Sequence, residues 1–342
     1  MFFLTFIFIM LSLLVVLDFI KLKYKQVIFI FTGLFLFAVA AFRPPALDRD
    51  YNSYIRLFNM NLVLGQAFVE PSFILLSNII HHYLFGNPAF LFAIYAGIAV
   101  TCKFIAIRQL SDYAFLSILI YFSYSFILHD ITQIRAGVSV GFVLLAIRPL
   151  YQRQGFKFLF FALLAIFFHY SALLVLPLWF LAPGQINTRL YAAIIFISYG
   201  VFFFSDLVLT NIINYLPQGI LLNKIASYES DNNTALNIFN SWQIMRCLLC
   251  FLFLWKIKII QEQNPYSVLF LKIYVIATAA FVLLATNPTF AGRISDLFSI
   301  IDIVMLPSLL YIIKPAWVAV SVVILVCFLY LVLNVFYNRI LV

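Results

Sequence analysis

The stretch Phe156–Leu181, FKFLFFALLAIFFHYSALLVLPLWFL, is 26 residues long, with one lysine at its start and one histidine near its middle. It shows no strand-like alternation, and a lipid-embedded chain satisfies its backbone polar groups only as helices or closed barrels. As one straight helix it would measure about 39 Å, longer than a hydrocarbon core of roughly 30 Å. Two arrangements accommodate it: a single tilted helix, or a bent hairpin whose tip is His169-Tyr170-Ser171. The hairpin is favoured because the following apolar run, Tyr191–Leu209, can then rise outward from a cytoplasmic Arg189.

The rest of the chain has the same character. Of 342 residues, 65% are hydrophobic, 19% aromatic and 10% charged, and mean hydropathy is +1.10. A soluble domain carries about 25% charged residues, so a soluble enzyme is excluded. Further apolar runs recur from Phe2–Leu17 to Ala316–Phe336. The expected fold is therefore all-α: a polytopic integral membrane protein of about 10 to 13 transmembrane or re-entrant helices. Residues 1–342 read as one membrane domain, with polar outer-face elements at 43–71 and 210–241. The 14-residue run Ser72–Phe85 reads as re-entrant or interfacial, and Phe2–Leu17, which lacks a basic leader, as a retained helix. The net charge of +9 is assigned to loops and anionic lipid rather than nucleic acid. Cys102, Cys247, Cys250 and Cys327 form no spaced framework and read as small core residues.

Basic clusters orient the chain. Lys21, Lys23 and Lys25, then Lys103 and Arg108, then Arg148, Arg153 and Lys157, then Lys256 and Lys258 are placed on the cytoplasmic side. The turns His129–Arg135 and Asn287–Asp296 then face outward with the two longer loops. Nine of ten lysines fall inside, whereas seven of eleven arginines (Arg43, Arg49, Arg56, Arg135, Arg246, Arg293 and Arg339) lie on or near the outer face. Arginine offers a planar fork suited to bidentate phosphate or carboxylate binding, so this face reads as an anion-binding surface. The simpler explanation is pairing with the outer acids Asp48, Asp50, Glu70, Asp130, Asp231 and Asp296.

Four segments could carry chemistry. Arg43-Pro-Pro leaves a membrane helix and enters an amphipathic one, which Asp48 or Asp50 could cap. Tyr51, Tyr54 and Phe58 form a stripe on it, for the membrane surface or a sugar ring. Glu70-Pro71 opens the next run, either as a helix cap or as a general base. Gln133 and Arg135 start another membrane helix, where an ionisable group is expensive and usually faces a cavity. Arg293 lies at a similar helix entry, so two arginines could clamp one pyrophosphate. His169 interrupts an apolar run, as a buried core histidine or a base. Metal-ligand spacing, a Walker A loop and a nucleophile elbow are absent from the sequence, and no metal or cofactor is expected.

Taken in order, these segments resemble the EpsG/Wzy group of polysaccharide polymerases over most of the chain. The matching elements are Arg43 with Asp50-Tyr51-Asn52-Ser53-Tyr54, Glu70-Pro71-Ser72-Phe73, Ile134-Arg135-Ala136-Gly137, Phe168-His169-Tyr170-Ser171-Ala172 and Arg293-Ile294. Asp48 stands where the family has glycine, and Ala136 where it has glutamine. The resemblance implies a GT-C-like helical glycosyltransferase of the bacterial inner membrane, acting at the periplasmic face without a metal and with inversion. Its substrates would be a growing glycan on undecaprenyl pyrophosphate and a repeat unit on the same lipid, with a chain-length regulator as a candidate partner. Arg135 and Arg293 would hold the pyrophosphate, supported by Arg43 or Arg49, with Tyr51, Tyr54 and Gln133 also on the substrate. The base would be Glu70 or His169, with Asp50 next. A lipid-linked oligosaccharide flippase and a sugar-modifying membrane acyltransferase are the competing classes.

Overall fold

Long apolar runs without Pro or Gly clusters leave the backbone no partner but itself, and they fold as helices. A computed structural model of the chain describes residues 2–45, 47–60, 69–204 and 236–337, and among them there are helices and no strands. Five helical stretches are long and apolar enough to cross a membrane: Ala89–Leu110, Ala114–Thr132, Ile134–Tyr151, Phe290–Ile312 and Ala316–Val335. Shorter apolar helices account for most of the other runs. The chain is an all-α, multi-pass membrane protein. Residues 210–235 of the second expected outer element, with Lys224 and Asp231, lie outside the described residues, as does Arg339.

Two compact units are present, Met1–Phe180 with Asp302–Val342, and Leu181–Ile301. In the first, α1 (Phe2–Leu14) and α2 (Lys25–Ala41) lead to α3 (Tyr51–Asn59), α4 (Pro71–Tyr83) and α5 (Ala89–Leu110). Then α6 (Ala114–Tyr121) runs into a π-helical segment, Phe122–Thr132, which breaks at Gln133 before α7 (Ile134–Tyr151). Helix α7 packs between α5 and α8 (Gly155–Phe168). Its approach to α5 needs Gly141, where a Cβ would come 2.9 Å from that of Cys102.

The decisive stretch is the hairpin. Helix α8 ends at Phe168, His169 is extended (φ −156°, ψ 120°), and a 3₁₀ segment, Tyr170–Phe180, returns alongside. Trp179 comes back against Phe158 at 5.5 Å between ring centroids and under the Arg153 guanidinium at 5.4 Å. His169 is thus at the tip.

In the second unit, α9 (Thr188–Phe203), α10 (Ser241–Gln263) and α12 (Pro288–Ser299) pack on α11 (Ser267–Leu283). Buried Gln243 donates to the Thr278 carbonyl at 2.9 Å, and buried Arg246 donates to Ser295.

Three expectations are corrected. Lys103 does not face the cytoplasm and Asp130 is not an outer acid: both side chains are fully buried and paired, with Tyr121 donating to the same carboxylate. Neither group can be hydrated at mid-helix depth, so each needs the other. Lys103 also donates to the Gly137 carbonyl at 2.9 Å, and a Cβ at Gly137 would lie 2.6 Å from Asp130 Oδ1, so only glycine fits there. Second, Asp50 does not cap α3 through its side chain; it is Asp48 that meets the helix entry, its Oδ1 accepting the Asp50 backbone N–H at 3.0 Å while Oδ2 accepts from Arg43 at 3.1 Å. Third, the Tyr51, Tyr54 and Phe58 stripe faces protein rather than the membrane surface. Tyr51 stacks on Phe92 at 5.1 Å and Phe58 on His81 at 4.2 Å, while Tyr54 and Phe58 are buried against α4 and α5. Three aromatic rings on one helical face fill the groove between those helices.

Lys103→Met strands a buried carboxylate and should destabilise the protein by about 3–5 kcal/mol. Thermal unfolding in nanodiscs should show a large drop in Tm, with most of it regained by Lys103→Met/Asp130→Asn. An unchanged Tm in the single variant would contradict the buried pair.

Candidate functional site

Proline at the first position of α4 needs no backbone donor there, and it sets Glu70 just ahead in an extended conformation (φ −65°, ψ 143°). The Glu70 side chain makes no capping hydrogen bond to the helix. Capping therefore does not explain this residue. It is 4% exposed, and both its oxygens are committed elsewhere. Oε2 accepts from Arg135 Nη1, and Oε1 from His169 Nδ1 at 2.6 Å.

Each partner reaches Glu70 because its own helix starts or stops there. Arg135 is the second residue of α7, just past the break at Gln133, and its guanidinium lies 5.4 Å from the Tyr54 ring centroid and 5.7 Å from that of Phe73. His169 terminates α8. The next residue, Tyr170, donates to the Val69 carbonyl at 3.5 Å and ties the hairpin tip to the strand of chain before α4. Beneath these residues lies a core of Tyr54, Phe73, Phe92, Tyr95, Ile134 and Phe168, in which Tyr95 pairs with Ser72 at 3.1 Å. The floor is buried and largely aromatic. The side chains of Arg135 and His169 keep 22% and 19% exposure, enough to meet a substrate.

Electrostatics favours an ionised Glu70. Burial pushes the Glu70 carboxyl up, but the His169 hydrogen bond and the Arg135 charge outweigh it and hold the group below its ordinary value. An ionised carboxylate only accepts, so His169 Nδ1 carries the hydrogen in this contact. The Ser171 hydroxyl stands 3.3 Å from the other ring nitrogen, Nε2. Asp50 is half-buried, and burial raises its carboxyl against the opposing charges of Arg135 and Arg49.

The residues singled out in the sequence thus separate. Glu70, His169, Arg135 and Tyr54 converge, and Asp50 lies within their electrostatic reach. Gln133 supplies the half-buried turn before Arg135 and accepts Gly137 N–H through its carbonyl at 2.9 Å. Arg43 is buried with Asp48 and covers the Phe92 ring at 4.3 Å, Tyr51 stacks on the same ring, and Arg49 is exposed. Arg293 is an exposed residue of α12, in the second unit. Ser171 was not singled out as a site residue; its signal was its place two residues after the lone histidine. Among the described residues no three His, Cys, Asp or Glu side chains are grouped to hold a metal ion, so no ligand set is assigned.

No curated protein and no solved structure matches this chain. The EpsG family, whose members are Wzy-like polymerases, matches over residues 26–341, nearly the whole length. That span includes every residue of the site just described, and the chain belongs to the EpsG family.

Proposed function

We propose that this chain is a polysaccharide polymerase that transfers a growing glycan from undecaprenyl pyrophosphate onto a lipid-linked repeat unit. The reaction takes place at the periplasmic face of a bacterial inner membrane, with inversion and no metal, in a GT-C-like helical frame. Family membership supports the polymerase role in general. The observation that carries the finer reading is the single carboxylate, Glu70, shared between a histidine and an arginine.

The acceptor hydroxyl gives its proton to His169 Nε2 as its oxygen attacks the anomeric carbon of the donor. The bond from that carbon to pyrophosphate breaks, and the electron pair leaves with the phosphate. Ionised Glu70 holds the imidazole in the tautomer with Nε2 free and offsets the positive charge it gains. Arg135, whose exposed edge lies beside the histidine, stabilises the charge developing on pyrophosphate. Tyr54 and Phe73 fix its plane. Arg293, Arg49 and Asp50 remain substrate-side candidates by residue type and, for Asp50, by proximity to Arg135.

Purified protein in lipid, given a defined undecaprenyl-pyrophosphate repeat unit, should produce glycan ladders. Single repeats moved between leaflets without lengthening would contradict the reading in favour of a flippase. In this assay His169→Gln should slow elongation by about 10² to 10⁴. Glu70→Gln/His169→Gln should lose less than the product of the two single losses, because the histidine's share is removed only once, while the loss through Arg135, the other partner of Glu70, remains. Losses that multiply would contradict the dyad. Arg135→Ala should abolish ladders and Arg135→Lys should restore them only in part, since an ammonium lacks the fork. Arg293→Ala measured alongside tests the role assigned to that residue, with loss of ladders expected.

The lowered Glu70 carboxyl also sets a pH window. Its stabilising contribution is complete above its ordinary value of 4.5 and is lost as pH falls through the lowered value. Wild-type Tm should therefore hold at neutral pH and fall below pH 4.5, whereas Glu70→Gln should be less stable at neutral pH and should lack this component of the acid loss. Identical acid profiles would contradict the assignment.

A further inference from the structure

Tyr95, near the start of α5, stands in the core beneath the Glu70 site, and Arg108 lies in the last turn of the same helix, about 20 Å further on. Toward that far end α2 and α5 leave a groove of about 440 Å³, walled by Ile30, Gly33, Leu34, Gly97, Thr101 and Ile105. Its two glycines keep it open: a Cβ at Gly33 would lie 3.1 Å from the Phe104 ring, and one at Gly97 3.5 Å from the Phe37 ring. Ile30 and Leu34 are each 55% exposed, so the groove opens sideways onto the hydrocarbon around the helices. Phe29 and Arg108 line this groove and also a second cavity of about 410 Å³, which is completed by Lys23, Lys25 and Gln26. The two adjoin as an apolar groove with a basic mouth. Asp18 fixes the mouth in place, accepting the backbone N–H groups of Phe115 at 3.2 Å and Leu116 at 2.9 Å at the start of α6 and standing 3.7 Å from Lys25. Lys23 and Arg108 are exposed and, among the described residues, have no acid beside them.

We infer that this is a site for an anionic glycerophospholipid, with one acyl chain along the groove past Gly33 and Gly97 and the phosphodiester against Lys23 and Arg108. The arginine fork suits phosphate oxygens, and the lysine adds a second charge at the membrane surface. Basic pockets between membrane helices recognise anionic head groups by this means. The mouth is larger than a bare phosphate needs, and Gln26 in its wall offers both a donor and an acceptor to a glycerol hydroxyl. Those features select phosphatidylglycerol. A phosphatidylethanolamine brings an ammonium that the lysines repel, and a polyprenyl phosphate has no head group beyond its phosphate to fill the mouth. On the orientation proposed above the mouth lies at the cytoplasmic surface, so this lipid is a different molecule from the glycan carrier held at the Glu70 end. Its acyl chain packs α2 on α5, whether or not the chain polymerises glycan.

The test uses the full chain in phosphatidylethanolamine nanodiscs with phosphatidylglycerol bearing a diazirine in one acyl chain, and in parallel the matching phosphatidylethanolamine probe. Peptide mapping after illumination should place the phosphatidylglycerol label within residues 29–37 and 97–105, about tenfold above the other probe. Lys23→Gln/Arg108→Gln should bring the two probes level. Thr101→Phe, at an exposed position in the groove, should remove the label from both segments and leave the mouth intact. Lys256→Gln/Lys258→Gln, which removes a basic pair of the second unit, should leave the labelling unchanged. Unlabelled phosphatidylglycerol should compete, whereas undecaprenyl phosphate or inorganic phosphate at the same concentration should not. Equal labelling by the two probes, label unchanged in Thr101→Phe, an equal loss in the Lys256→Gln/Lys258→Gln protein, or displacement by undecaprenyl phosphate or inorganic phosphate would each overturn the site. Glycan synthesis is not read in this experiment, so its result stands apart from the polymerase reading.

Discussion

One carboxylate ties together three helix ends of this molecule. Glu70 sits where three helices meet: it precedes α4, accepts from the second residue of α7, and accepts from the histidine that ends α8. Without it, Arg135 would be a largely buried cation left with Tyr54, Phe73 and the charge of Asp50, and His169 would lose the acceptor for its Nδ1. Breaking such a pair strands a charge in a dry setting, which costs far more than an exposed ion pair contributes. The same contacts therefore hold the helix ends together and set where the imidazole lies.

A second ion pair, deeper and fully buried, sets where that site can form. Lys103 on α5 joins Asp130, Tyr121 and the Gly137 carbonyl, and so pins the break between the π-helical segment and α7. Arg135 lies between Asp130 and Gly137 in sequence, so the direction in which it leaves the bundle follows from this clamp. Buried ion pairs are weak devices for net stability but effective for selecting one arrangement over others. The glycine at 137 shows how tight the arrangement is: the aspartate oxygen occupies the space a methyl group would need.

Much of the site was legible in the sequence because its residues offend their surroundings. A histidine in a run of phenylalanines, an arginine at the start of a membrane helix and a glutamate before proline each stand out where apolar residues are the rule; hydrocarbon thickness left a tilted helix or a hairpin, and the outward rise of Tyr191–Leu209 favoured the hairpin that puts His169 at its tip. Pairing of outer arginines with outer acids was one of the two readings, and Arg43–Asp48 and Arg135–Glu70 follow it; the partner of Lys103 was not legible. Charge counting placed Lys103 and Asp130 on opposite sides of the membrane because it treats loops as the natural home of charge, yet they are bonded to each other. Either could have been flagged, Lys103 by its depth within a 22-residue apolar helix. The aromatic stripe on α3 was read correctly as a stripe and wrongly as a surface, since periodicity gives a face but not what covers it. Telling Glu70, His169 and Asp50 apart needed distances: only contact shows that both Glu70 oxygens are taken, one by Arg135 and one by His169, and that the other nitrogen of His169 stands by Ser171.

The central claim is that Glu70 holds His169 with hydrogen on Nδ1 and the lone pair on Nε2. Nitrogen-15 NMR of histidine-labelled protein in lipid measures this directly, with the His169 signal identified by its loss in His169→Gln. The account predicts a neutral His169 in the Nδ1–H form in the wild type, reverting toward the Nε2–H form in Glu70→Gln. A wild-type His169 carrying its hydrogen on Nε2, or one indifferent to Glu70→Gln, would contradict it.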